Sequence, residues 1–524
     1  MALRIIEAAG PRSRGVGRGL AVKLALGLVA CLLLCSVPVS ASPTYDYLVA
    51  GNSVQNSGGS TVYTGANMAA ALTWALGHAN TTTFIQAGSY TLTAAISIGS
   101  YATLINAATL TADASTHYMI TATEKSHFSI SGGIWNGNRA ARSNVSGNNP
   151  FDFINCTNAA ISSLAVINGS YDNIEFEYCQ NITISGVSSG ESNWDSLMLA
   201  YTSYSTVQNC LIYDSDKGGC YFYCEDDGII QHVDHDIMEN NTVERTQTSG
   251  LSISLRGAED TGRYDLIENN NLVDCGQDGE HPGINIGWSD GGVYRWASHC
   301  TITNNTVYQS GAVDPAGVGG GINCQANDSL VYGNNIHDTQ DFAILVIGDR
   351  NIISHNLINI VRTSYYTGVL MEDASHNQVI YNSITYCPYA IRVYGGLHGS
   401  VGNLIAFNHF DNESTYLISI DSGCSDTLIE NNTYWPPWTI SDQGTGTIIQ
   451  GNTVGSYSDI FGDILTPLIS AVLISMGSAY GIAGFAIGAI VLVVGVLARR
   501  WYLIVIGLAV IILTLIFVGG LLAI

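Results

Sequence analysis

Ile302-Thr-Asn-Asn-Thr-Val307, Ile353-Ser-His-Asn-Leu-Ile358 and Val379-Ile-Tyr-Asn-Ser-Ile384 share one pattern: an apolar residue, Asn three positions later, and a second apolar residue five positions later. The same frame surrounds Asn241, Asn270, Asn334, Asn408, Asn432 and Asn452. The Asn positions are 20 to 35 residues apart and cluster near 25. A period of that size marks stacked supersecondary units, none of which can bury its apolar face alone.

Between these Asn residues the apolar positions alternate over very short runs, as in Leu251-Ser-Ile-Ser-Leu255 and Ile284-Asn-Ile286. Turn residues bound them, so each unit reads as strands of about three to five residues with no helical period. A coil of about 25 residues suits three short strands and three bends, one rung of a right-handed parallel β-helix. Successive rungs then lie ~4.8 Å apart. Asn suits the recurring bend because it tolerates left-handed backbone, and stacked amides can bond from rung to rung. Upstream, Ser185 and Cys210 occupy the ladder position, and the aliphatic frame persists in Ile182-Thr-Ile-Ser-Gly-Val187. The fold class is therefore all-β, a solenoid of about a dozen rungs. The segment from Gly65 to His78 reads as a helix covering the open end of the stack, which is otherwise an exposed edge.

The termini place this solenoid outside the cytoplasm. Arg4, Arg12, Arg14, Arg18 and Lys23 precede the apolar run Leu24 to Leu34, and Val39-Ser-Ala41 follows as a cleavage pattern, so 1–41 reads as a signal peptide. The solenoid domain takes 42–457. Residues 458–524 read as a membrane anchor of two transmembrane helices: Ile464 to Ala498 carries no charge, Arg499 and Arg500 interrupt, and Trp501 to Ile524 is apolar. The Arg pair belongs on the cytoplasmic side.

The whole chain carries a net charge of −24. Setting aside Glu7, the five basic signal residues and the Arg pair leaves 41 acidic against 11 basic side chains in the rest, a net of −30. Such a surface repels nucleic acid, so no nucleic-acid partner is expected. Ten Cys remain after the signal. Several lie one rung apart, among them Cys156 and Cys179, which permits rung-to-rung disulfides in an oxidising compartment. Sequons such as Asn80, Asn155, Asn181, Asn304 and Asn431 are compatible with glycosylation.

The chemistry concentrates between residues 191 and 281, where carboxylates and His are dense and the rungs lengthen to about 30 residues. Added loops on a rigid stack can wall a groove. Trp194, Tyr201, Tyr204, Tyr221, Tyr223, Trp288 and Trp296 offer faces for sugar rings.

Taken together, residues 60 to 455 resemble the pectin-lyase-like superfamily of right-handed parallel β-helix proteins. The helix followed by Ile85-Gln-Ala-Gly-Ser-Tyr-Thr-Leu92 looks like its cap and first rung, and Ile130-Ser-Gly-Gly-Ile-Trp-Asn-Gly-Asn138 resembles an early rung motif. Members include polysaccharide lyases, glycoside hydrolases, epimerases, tailspikes and repeat proteins of no known activity, so fold alone does not name a reaction. Locally, Asn193-Trp-Asp-Ser-Leu-Met-Leu199, Asp214-Ser-Asp216 and the run from Cys275 to Ile284 are similar to segments of polygalacturonase-like hydrolases. In those enzymes the Asp pair is adjacent, whereas Ser215 separates it here, and Pro282 follows the His. The resemblance implies Asp195 and Asp216 as the acid and base of an inverting hydrolysis, Asp214 as their support, and His281 and Arg256 as substrate-positioning residues. A lyase or epimerase would instead use Arg256 as base and hold calcium at Asp226 and Asp227. A third expectation is a noncatalytic envelope protein that binds surface glycan. In every case the partners are a polysaccharide and, through the C-terminal hairpin, a membrane.

Overall fold

The computed structural model describes residues 44–142, 147–224, 232–255, 261–290, 293–310, 319–359, 367–411, 415–435 and 439–454. The chain divides into two compact units, 1–351 and 352–524. The segments expected to form a signal peptide and a membrane hairpin lie outside the described residues. Among the described residues no helix is long and apolar enough to cross a membrane.

In the first unit three parallel sheets wind around one core. Thr82–Ile85, Ser89–Leu92 and Ile96–Ser97 form the first coil, and each strand pairs in parallel with the corresponding strand of the next coil. The pleat puts alternate residues inside. Ile130, Ile161, Ile184 and Val207 stack on the first sheet, and Phe153, Phe176, Leu199 and Phe222 on the third, all buried. Phe153 and Phe176 are 4.6 Å apart between ring centroids. Before the first coil, Tyr47–Ala50 pairs antiparallel with Ser53–Asn56 and in parallel with Thr82–Ile85. Helix α1 (Met68–Leu76) is shorter than the Gly65 to His78 reading because Asn67 caps it, accepting from the Ala70 N–H at 2.8 Å. Its buried face, Leu72 and Leu76 with three Ala, packs on these first strands. The second unit repeats the architecture, beginning with Ile352–Ser354, Leu357–Asn359 and Thr367–Glu372.

The Asn amides bond from rung to rung as the sequence reading expects, but the ladder residue is not the left-handed one. In the first unit Asn305 Oδ1 accepts the Asn270 backbone N–H at 2.9 Å and its Nδ2 at 3.0 Å, while Asn305 Nδ2 donates to the Ile267 carbonyl at 2.9 Å. The same scheme links Asn241 to Asn270 and Asn305 to Asn334, and in the second unit joins Asn356, Asn382, Asn408, Asn432 and Asn452. The left-handed residue is the one before each ladder Asn: Asn240, Asn269 and Asn304 have φ of 57°, 55° and 56°. His355, Tyr381 and Phe407 take that place with φ of 56°, 57° and 57°, and their rings stack at 5.3 and 5.0 Å. Asn is thus selected for its side-chain amide, not for backbone tolerance. Pairing of Ile184 with Val207 also puts Val187, not Ser185, one rung before Cys210.

All ten cysteines beyond the signal are buried free thiols here, so the expected bridges are not formed in this structure. Cys156 and Cys179 do stack, with the Cys156 N–H donating to the Cys179 sulfur at 3.2 Å.

Candidate functional site

At the turn leading into the third sheet a second ladder climbs four rungs at 23-residue steps. Asn149 Oδ1 accepts the Asp172 N–H at 3.1 Å, Asp172 Oδ1 accepts the Asp195 N–H at 2.8 Å, and Asp195 Oδ1 accepts the Gly218 N–H at 2.6 Å. Asn149 performs this role with a neutral amide, so the ladder alone does not require carboxylates. Yet Asp172 and Asp195 are only 1% and 3% exposed. Burying carboxyls where an amide serves equally well costs stability, and such local costs concentrate at functional sites. Gly218 makes room for the arrangement: a Cβ there would lie 2.7 Å from Asp195 Oδ1 and collide with the Tyr221 ring.

Three residues beyond the ladder, the outward face of the third sheet continues the acidic patch. Asp152 pairs with Glu175, and Glu175 with Met198, which pairs with Tyr221; Glu177 pairs with Ala200, which pairs with Tyr223. Asn149 Nδ2 donates to Glu175 Oε2. Burial, reinforced by the Asp152 and Glu177 charges, pushes the Glu175 carboxyl up to about 7. Asp172 is raised well above the usual range by burial first, then by the charges of Asp195 and Glu175. Burial also raises Glu177, with Asp152 adding to it.

These side chains open into one cavity of about 620 Å³, lined by Asp172, Glu175, Glu177 and Asp195 together with Tyr171, Trp194, Lys217, Tyr221, Tyr223, Thr248 and His281. Trp194 stacks on Tyr171 at 5.1 Å with a 14° interplanar angle, and the Lys217 ammonium lies 5.1 Å from its centroid. Tyr221 anchors its hydroxyl on Thr248 at 2.8 Å. His281 Nδ1 is 2.7 Å from Asp278 Oδ2, which fixes the imidazole at the rim.

The structure therefore brings together Asp195 and His281, of the residues given chemical roles from sequence, with the aromatics Trp194, Tyr201, Tyr221 and Tyr223. Asp216, 53% exposed in its side chain, forms an ion pair with Arg139, and Asp214 pairs with Arg245 at 2.5 Å. Neither lines the cavity. Arg256, Asp226 and Asp227 lie outside the described residues. Among the described residues no group of three or more His, Cys, Asp or Glu is arranged to hold a metal ion.

Residues 320–456 match the family described as "Right handed beta helix region", and each unit, taken by itself, is built of parallel coils of the same kind. This is a right-handed parallel β-helix. No curated protein matches the sequence. Solved structures similar to this β-helix include the A-module of mannuronan C-5 epimerase AlgE4 from Azotobacter vinelandii, at 16% identity and a TM-score of 0.40, covering 74% of this chain and 95% of that one. PfbA, a surface adhesin of Streptococcus pneumoniae, is similar at 14% identity and a TM-score of 0.47, covering 67% of this chain and 88% of the adhesin. The tailspike protein of an E. coli bacteriophage, solved with a pentasaccharide, is similar at 13% identity and a TM-score of 0.47, covering 75% and 77%.

Within the β-helix, sequence reasoning missed Asp152, Asp172, Glu175 and Glu177. They lie upstream of the acidic segment, in rungs without ladder Asn. The available signal was the 23-residue step from Asn149 through Asp172 to Asp195, together with two carboxylates at alternate positions of Ile174-Glu-Phe-Glu177.

Proposed function

We propose that this β-helix works outside the cytoplasm, held to a membrane by its C-terminal hairpin, and hydrolyses polysaccharide in the cavity over the third sheet. The observation that carries the reading is that two carboxyls, Glu175, held up to about 7, and Asp195, fixed by the ladder bond from Gly218, line one aromatic-walled cavity. Inverting hydrolysis needs one carboxyl to act as acid and a second to act as base. Glu175 donates its proton to the glycosidic oxygen as the bond to the anomeric carbon breaks. Asp195 takes a proton from the water whose oxygen attacks that carbon from the opposite face. Tyr221 and Tyr223 present rings to the sugar, and His281, oriented by Asp278, lies at the rim.

The test is product release by the full-length protein from a panel of polysaccharides, compared with Glu175→Gln. New saturated reducing ends that disappear in the variant support the hydrolase. Unsaturated ends shift the case to a lyase, and glycan binding without product shifts it to a noncatalytic binding protein.

A further inference from the structure

Resting on the glycan reading of this cavity, we infer that its substrate carries no uronate charge and is a polymer containing unacetylated amino sugars. Four carboxyl side chains, Asp172, Glu175, Glu177 and Asp195, line the cavity against one ammonium, Lys217, and one imidazole, His281. The two cationic groups are outnumbered two to one by carboxyls. The Lys217 ammonium lies over the Trp194 ring, and His281 Nδ1 is held by the carboxylate of Asp278. Arg139, on the short helix at Arg139–Ala141, is committed to Asp216 and to the carbonyls of Glu191 and Ser192.

Recognition of a uronate needs a fork or point cation free to meet its carboxylate. The lining offers instead a row of acceptors. A sugar carboxylate entering beside Glu175 and Glu177 would add a like charge where burial already resists negative charge. A sugar ammonium entering beside Glu177 meets acceptors at close range in a partly buried site, where Coulomb attraction exceeds its value in water. Glu177, on the outward face of Ile174–Glu177 opposite Ala200, lines the cavity. It is the side chain placed to receive such a group.

Calorimetric titration of the full-length protein at pH 6 with three hexamers of equal length tests this: glucosamine, N-acetylglucosamine and galacturonate. The glucosamine hexamer is expected to bind at least about tenfold tighter than its acetylated counterpart. That preference should shrink in high salt and in Glu177→Gln, and the galacturonate hexamer should bind weakest. Equal affinity for the first two, or tighter binding of galacturonate, overturns the amino-sugar inference while leaving a glycan-binding cavity in place. Failure of all three hexamers to bind overturns the glycan reading itself and this inference with it.

Discussion

The backbone N–H of Asp195 donates to Oδ1 of Asp172 at 2.8 Å, so one carboxyl of the cavity stands on another that is 1% exposed. The bond requires only an acceptor at that position. Asp172→Asn keeps one and removes a group whose charged form is opposed by burial and by its neighbours, so its unfolding free energy at pH 7 should equal or exceed that of the parent. Asp172→Ala leaves the Asp195 N–H buried and unpaired, a loss of about 1–3 kcal/mol. Urea denaturation of the two variants separates the cases. Equal stability of both would mean that the ladder contributes nothing at this rung.

If Glu175 is the general acid, activity depends on its proton. With the carboxyl held up to about 7, kcat/KM should be lost as pH rises through about 7, because the acid is then ionised. Glu175→Gln should lower kcat by about 10²–10⁴ with oligosaccharide affinity largely retained. A basic limb that stays in place in a residually active variant would assign the titration to another group.

Gly218 tests position without removing a titratable group. Its missing side chain lets Asp195 Oδ1 reach the Gly218 N–H, and an added methyl would meet both that oxygen and the Tyr221 ring. Gly218→Ala should leave a folded β-helix by circular dichroism but reduce kcat by at least about tenfold, since displacements of about 1 Å at a reacting group are that costly. Unchanged kcat would show that the Asp195 position is not critical.

The Asn ladder makes a prediction about stability. Asn305 accepts two bonds from Asn270 and donates to Ile267 and Asn334, all buried. Asn305→Ala strands the Asn270 N–H and should cost about 1–3 kcal/mol. Asn452→Ala, at a position where the bonds are only part-buried, should cost less because water replaces the lost acceptor. Denaturation midpoints in the reverse order would remove burial as the reason for the ladder.

The fold was legible because a ladder Asn and its apolar flanks are tied to the same three-dimensional position in every coil. The detail that misled was local. Asn240 and Asn241 are adjacent, and only coordinates show that the first supplies the left-handed turn and the second the amide. The site was half legible. Asp195 and His281 lay in the segment dense in charge, but Glu175 sits in a strand whose alternation reads as an ordinary solvated face, and its elevated proton affinity arises first from burial under its neighbours and then from Asp152 one rung below. Such a property belongs to the stacking and has no local sequence mark. Asp214 and Asp216 carried the motif resemblance, yet the guanidinium groups that engage them come from Arg245 and Arg139, 31 and 77 residues away.

A third ladder sets the pH response of the fold itself. The Ser205 N–H donates to Asp236 Oδ1 at 2.7 Å and the Asp236 N–H to Asp265 Oδ1 at 2.9 Å. Both Asp residues are 1% exposed, and Asp236 Oδ2 is buried without a hydrogen-bond partner. Burial raises both carboxyls well above the usual range, and in Asp236 the Asp265 charge adds to it. A carboxyl whose folded-state affinity for the proton exceeds its unfolded value stabilises the fold fully below the unfolded pKa of about 4, and that contribution is lost as pH rises above it. The protein should therefore lose stability from about pH 4 upward through these groups, opposite to a chain whose carboxylates are ion-paired. The double variant Asp236→Asn, Asp265→Asn keeps both acceptors and both shapes, so it should flatten this part of the pH dependence and be the more stable protein at pH 8. Urea midpoints measured from pH 4 to pH 8 decide it: parallel curves for parent and variant would mean that the pair is ionised in the folded state, compensated by a cation or by water, and that the ladder tolerates charge.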